Sequence, residues 1–92
     1  MRESEPIIKV LYALAGLNGR RPHGEWVKPT TIGLYLGRRY SQASSYACPI
    51  LKRLVRAAYA ERNDKGHYRV TVIGINRLTK EFPAEYWGHA TN

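Results

Sequence analysis

Ninety-two residues and 10.5 kDa are enough for one small domain with a single modest core. Fifteen Lys and Arg against seven Asp and Glu give a formal charge of +8 and a pI near 10.0, so a polyanion is the first partner to consider. One cysteine, Cys48, excludes an internal disulfide framework, and the longest apolar run, Val10 to Leu17, falls far short of the ~20 residues that cross a bilayer; a disulfide-stapled mini-protein, a membrane span, a repeat array and a large enzyme are thereby excluded.

Ser4-Glu5-Pro6 reads as a helix start: Ser4 can cap, Glu5 suits the positive end of the helix dipole, and Pro6 is tolerated in the first turn. Ile7, Leu11 and Leu14, with Ile8, Val10 and Leu17, recur at helical spacing, and Asn18-Gly19 stops the run, so a first helix is expected from Glu5 to Leu17. Residues 18–25 form a basic loop, followed by a brief strand at Trp26-Val27. A second helix, capped by Thr30 and carrying Ile32, Leu34, Tyr35 and Leu36, is expected to stop at Gly37.

Arg38-Arg39-Tyr40-Ser41 forms a tight connection into a third helix that reaches about Ala57, with Ser41 or a serine just after it as cap. Ala43, Ala47, Ile50, Leu51, Leu54 and Val55 mark its inner face. Pro49 in a helix interior costs ~3 kcal/mol, so the regular helix is expected to begin near Ser45, with Pro49 in its first turn, or to bend there. Tyr59–Arg62 and His67–Val72 are two β-forming runs around the turn Asn63-Asp64-Lys65-Gly66, which predicts a hairpin with a charged tip. Alternation places Tyr68, Val70 and Val72 on one face and Arg69 and Thr71 on the other. A last helix is expected from Gly74 to Phe82, stopped by Pro83.

The expected organisation is a single domain over residues 1–92, with its core at about 5–82 and a tail at 83–92. The expected fold class is α+β and mostly helical: a three-helix bundle with a two- to three-stranded β-hairpin and a C-terminal helix. Within it the charge is segregated. Eleven basic residues lie between Arg20 and Arg69 against three acids (Glu25, Glu61 and Asp64), a surplus equal to the whole net charge, while the two ends cancel. A chain that presents its middle to phosphates has a use for that segregation.

Two helices joined by a tight turn and followed by a hairpin resemble the winged helix-turn-helix. Ile50–Arg62 is similar to the end of the recognition helix and the first wing strand of MarR-like and related small regulators, with Leu51, Leu54, Ala58, Tyr59, Ala60, Glu61 and Arg62 on the patterned positions. Tyr68–Gly74 followed by Leu78 resembles the returning wing strand and the helix after it, and the resemblance covers roughly residues 28–78. Two positions depart from the pattern. Ala58 stands where glycine is common, because the helix exit there turns left-handed, and Pro49 stands where a polar, groove-facing residue is usual.

The resemblance implies double-stranded DNA as partner and a sequence-specific, transcription-regulating role. The third helix, about 42–57, reads the major groove, and the wing, about 62–69, reaches phosphates or the minor groove. Arg38 and Arg39 fall at the approach to that helix, where phosphates lie; Ser41, Gln42, Ser44, Ser45 and Tyr46 fall at its N-terminal end, Gln42 having the two-pronged geometry that suits adenine. Lys52, Arg53 and Arg56 run beside the backbone, and Lys65, His67 and Arg69 belong to the wing. The serines equally suit capping, and Tyr46 and Tyr59 suit partial burial.

No other chemistry has a pattern here. Cys48 with His23, His67 and His89 lacks zinc spacing, no phosphate-cradling loop, nucleophile elbow or paired carboxylates occur, and neither an enzyme, a metal nor a cofactor is expected. Gly33-Leu-Tyr-Leu-Gly37 has small-xxx-small spacing, which in a short soluble helix permits close packing or ends the helix. A homodimer is expected through the first helix and the segment bearing Leu78, Phe82, Tyr86 and Trp87, with no membrane partner, no export signal, and a cytoplasmic, nucleoid-associated location in a prokaryotic or phage-infected cell. The alternative is a winged-helix interaction module, such as a phage or viral effector docking on an acidic host protein; nonspecific or RNA binding through the same basic face is a third reading.

Overall fold

The computed structural model describes residues 5–81, with the elements α1 (Glu5–Leu17), α2 (Pro29–Tyr35), α3 (Tyr40–Arg56), β1 (Ala60–Arg62), β2 (Tyr68–Val70) and α4 (Val72–Glu81) in that order. The fold is α+β and mostly helical: three helices, a two-stranded antiparallel hairpin, and a C-terminal helix. Ser4 at the start of α1, the tail at 83–92, and Phe82, Tyr86 and Trp87 of the expected dimer contact lie outside the described residues.

The core draws on every element. Val10, Leu11, Ala13, Leu14 and Ala15 of α1 meet Ile32 of α2, Ala47, Leu51 and Leu54 of α3, Ala60, Tyr68 and Val70 of the hairpin, and Ile75 and Leu78 of α4. Each fully buried leucine contributes ~1.5–3 kcal/mol, so α1, with two of them and Val10, is the central pillar. The apolar face of α1 is thus spent on the chain's own core. Helices α2 and α3 approach most closely at Gly33, where an added Cβ would lie 2.4–2.6 Å from the backbone and side chain of Ala43. The small-xxx-small pair has divided duties: Gly33 lets the two helices touch, and Gly37, at φ +86°, ends α2.

Three helices leave by the same device. After α1, Arg20 N–H donates to Ala15 O and Gly19 N–H to Gly16 O; after α2, Arg38 N–H donates to Gly33 O and Gly37 N–H to Leu34 O. After α3, Tyr59 N–H donates to Leu54 O and Ala58 N–H to Val55 O. These paired bonds are Schellman exits, in which the residue one past the cap adopts a left-handed conformation. Glycine fills that position twice, but after α3 it is Ala58, at φ +66°. The left-handed exit that the resemblance implies is therefore present with a methyl group on it, at a cost of ~1 kcal/mol or more.

The expected start of α3 near Ser45 is corrected. The helix runs from Tyr40, and Pro49 lies in its interior. Ala43 and Ala47, both fully buried, commit the first half of α3 to helix against α2 and the core. Pro49 removes the amide that would bond the Ser45 carbonyl, and both residues are exposed, so water can take that carbonyl. The caps differ from expectation too. Arg39 is the N-cap of α3 and Lys28 that of α2, neither with a side-chain cap bond, while Ser41 and Thr30 are each the second residue of their helix. At α2, Pro29 takes the first helical position, where its missing N–H costs nothing.

In the hairpin, Ala60 pairs with Val70, Glu61 with Arg69, and Arg62 with Tyr68. Asn63 Oδ1 accepts from the Lys65 and His67 amides at 3.0 Å each, which shapes the turn. The strand expected at Trp26-Val27 reduces to one bridge, in which Val27 and Tyr68 exchange backbone bonds of 2.7 and 2.8 Å. α4 begins at Val72 rather than Gly74, because the Thr71 hydroxyl caps it by accepting from Gly74 N–H at 3.1 Å. Val72 therefore leaves the buried face it was expected to share with Tyr68 and Val70, and is exposed. The same Thr71 hydroxyl donates to the Ala58 carbonyl at 2.6 Å.

Candidate nucleic-acid interface

The burial of α3 sorts its residues by face. Ala43, Ala47, Leu51 and Leu54 turn inward at four-, four- and three-residue steps. On a helix this directs Ser41, Gln42, Ser45, Pro49, Lys52, Arg53 and Arg56 outward, and all seven are exposed. Nothing among the described residues covers this face. It carries no carboxylate, since α3 contains neither Asp nor Glu, and Lys52, Arg53 and Arg56 form no ion pair among the described residues. Arg53 and Arg56 also lie in the last turn, where positive charge complements the helix dipole.

Ser44 is exposed on the flank, with its Oγ 3.5 Å from Cys48 Sγ, and Ser45 Oγ donates to Gln42 O at 3.2 Å. Tyr46 is half-buried and packs against the core. The Arg38 guanidinium sits over its ring at 4.0 Å from the centroid, a cation–π contact that anchors the arginine at the start of α3. Arg39 is exposed beside it.

The wing residues divide. Lys65 is exposed in the turn, and His67 is half-buried there. Arg69 has structural partners: its Nε donates to Glu61 Oε2 at 2.8 Å, it reaches the His23 carbonyl at 3.4 Å, and its guanidinium lies 4.1 Å from the Trp26 ring centroid. His23 Nδ1 meets the same Glu61 carboxylate. This cluster pins the basic loop onto the hairpin. The Arg69 guanidinium, and after it the His23 ring, hold the Glu61 carboxyl below its usual range.

Two residues escaped the sequence reading. Arg62 is exposed at the end of β1, and a Cβ on Gly66 would lie 3.5 Å from its guanidinium, so it stands beside Lys65 at the tip; its signal is a cation at the last strand position before a turn. Asn18, read only as a helix stop, is fully buried, accepts from Val70 N–H at 2.9 Å and donates to Arg21 O at 2.6 Å. Among the described residues no group of three His, Cys, Asp or Glu is placed to hold a metal ion, and no helix is long and apolar enough to cross a membrane. No family model, curated protein or solved structure matches the chain.

Proposed function

We propose that this chain is a double-stranded DNA-binding protein of the winged helix-turn-helix kind, a small transcriptional regulator that sets α3 in the major groove. The observation that carries the reading is the outward face of α3: uncovered among the described residues, cationic along its second half, polar along its first, and free of carboxylates. The order α2, tight turn, α3, hairpin supports it, because that arrangement brings a helix and a flap to one duplex. Gln42, Ser41, Ser44 and Ser45 meet base edges, and Pro49 offers an apolar contact of the kind made with a thymine methyl. Arg38, Arg39, Lys52, Arg53 and Arg56 meet phosphates. Arg62, Lys65 and His67 form the wing contact, while Arg69 and Tyr46 act behind the surface by positioning the hairpin and Arg38.

Duplex binding measured by anisotropy across a salt series tests this. The double substitution Lys52→Ala, Arg56→Ala is expected to lower affinity at least tenfold and to reduce the salt slope by about two units, at ~0.9 per phosphate contact, with thermal stability unchanged. Selection from a random duplex pool should return a defined motif; a palindrome with half-sites ~34–36 Å apart identifies a two-fold dimer. Absence of duplex binding at both low and moderate salt overturns the reading in favour of docking on an acidic protein.

A further inference from the structure

A second surface lies apart from the outward face of α3. Ile8, Lys9 and Tyr12 of α1, Tyr35 of α2, the turn Leu36–Arg38, and Tyr46 of α3 line an open groove of about 630 Å³. That volume is within the ~300–1,000 Å³ of sites that hold small ligands or single residues of a polymer. Three tyrosines border it, together with Lys9 and Arg38, and none of the described residues that line it is acidic. Tyr35 is 57% exposed, and Tyr40 just beyond the turn is 77% exposed. The Arg38 guanidinium, stacked on Tyr46, adds a flat cationic wall.

We propose that this groove binds single-stranded nucleic acid, receiving an unstacked base against the exposed Tyr35 ring and the Arg38 plane while the Arg38 charge neutralises an adjacent phosphate. Aromatic rings alternating with cations suit this occupant, because every base has a π-face to stack and every linkage a charge to pair. An acidic peptide matches the charge but gives three tyrosine rings less to stack on. The groove shares Arg38 with the duplex surface, but Tyr35 belongs to the groove alone, so a variant at Tyr35 separates the two proposals.

The test is anisotropy of the full chain with labelled oligothymidylate and oligouridylate, alongside a duplex probe. Both single strands are expected to bind. Tyr35→Ala should weaken them about tenfold, in keeping with the value of one stacked base, and Tyr35→Phe should retain binding. Duplex affinity should stay within about twofold in both variants, and Lys52→Ala with Arg56→Ala should lower duplex affinity alone. The proposal is overturned if Tyr35→Ala leaves single-strand affinity unchanged, or if Tyr35→Ala weakens duplex and single strand alike. Tighter binding of an acidic Glu-Tyr copolymer, with displacement of the oligothymidylate, also overturns it. Single-strand binding that depends on Tyr35 in a chain that ignores duplex leaves this proposal standing and removes the one before it.

Discussion

The α2–α3 half of the molecule and the loop–hairpin half are joined by opposite means. Helices α2 and α3 meet through bare backbone and methyl groups, with Gly33 against Ala43. The loop at 18–27 is fastened to the hairpin by polar groups: buried Asn18 on Val70, His23 on Glu61, and Arg69 on the His23 carbonyl and Trp26. The difference teaches how one basic chain can use its cations twice. Where packing is apolar, Lys52, Arg53 and Arg56 have no ion-pair partner among the described residues and remain available to a partner. Where packing is polar, an arginine is consumed in holding the fold.

The contrast can be broken most severely at Gly33. Gly33→Ala forces a Cβ into the Ala43 backbone and is expected to cost about 2–3 kcal/mol in chemical denaturation, since neither helix can yield without moving the other. On the polar side, Asn18→Ala strands the Val70 amide and the Arg21 carbonyl, and should cost about 2 kcal/mol by the same measurement. An unchanged midpoint for Asn18→Ala would mean that water replaces it and that the polar seam is not structural.

Arg69→Ala should cost about 1 kcal/mol through the lost Trp26 stack and a partly exposed ion pair, yet leave the salt slope of duplex binding nearly unchanged. A slope reduced by a full ~0.9 unit would show Arg69 to be a phosphate contact, and would erase the distinction between the two sets of cations. Glu61 gives that seam a pH signature. Its carboxyl titrates lower in the folded chain than in the unfolded one, so its contribution is present above the ordinary carboxylate range and disappears as the pH falls through the folded value. The stability gap between wild type and Glu61→Gln should therefore narrow on acidification. The smallest effect is a gain: Ala58→Gly relieves the left-handed exit of α3 and should stabilise by about 0.5–1 kcal/mol.

Local pattern carried the sequence reading wherever structure is local. The ends of α1 and the turn at Asn63–Gly66 follow from residues within a few positions of one another, whereas the left-handed exit at Ala58 is implied by the resemblance. It failed where distant partners decide. Pro49 was weighed by the bond it removes, whereas the burial of Ala43 and Ala47 against other helices settled where α3 begins. Alternation reads Thr71 as a strand residue, but its bond to the Ala58 carbonyl, 13 positions away, and its cap on Gly74 set it at the start of α4. Asn18 reaches 52 positions to Val70, and His23 reaches 38 to Glu61, separations that no periodicity encodes. For the same reason, the outward cations of α3 were legible from helical spacing, but the commitment of Arg69 was not.

One hydroxyl has a geometric consequence. Thr71 grips the exit of α3 through the Ala58 carbonyl and at the same time starts α4 through the Gly74 amide. Tilting the hairpin on α3 would break the bond to Ala58, so the outward face of α3 and the hairpin tip behave like the two jaws of a fixed calliper. Under the function proposed above, such a gauge would measure distance as well as sequence: a duplex whose two contact zones were separated by one additional base pair would offer a grip to only one jaw at a time.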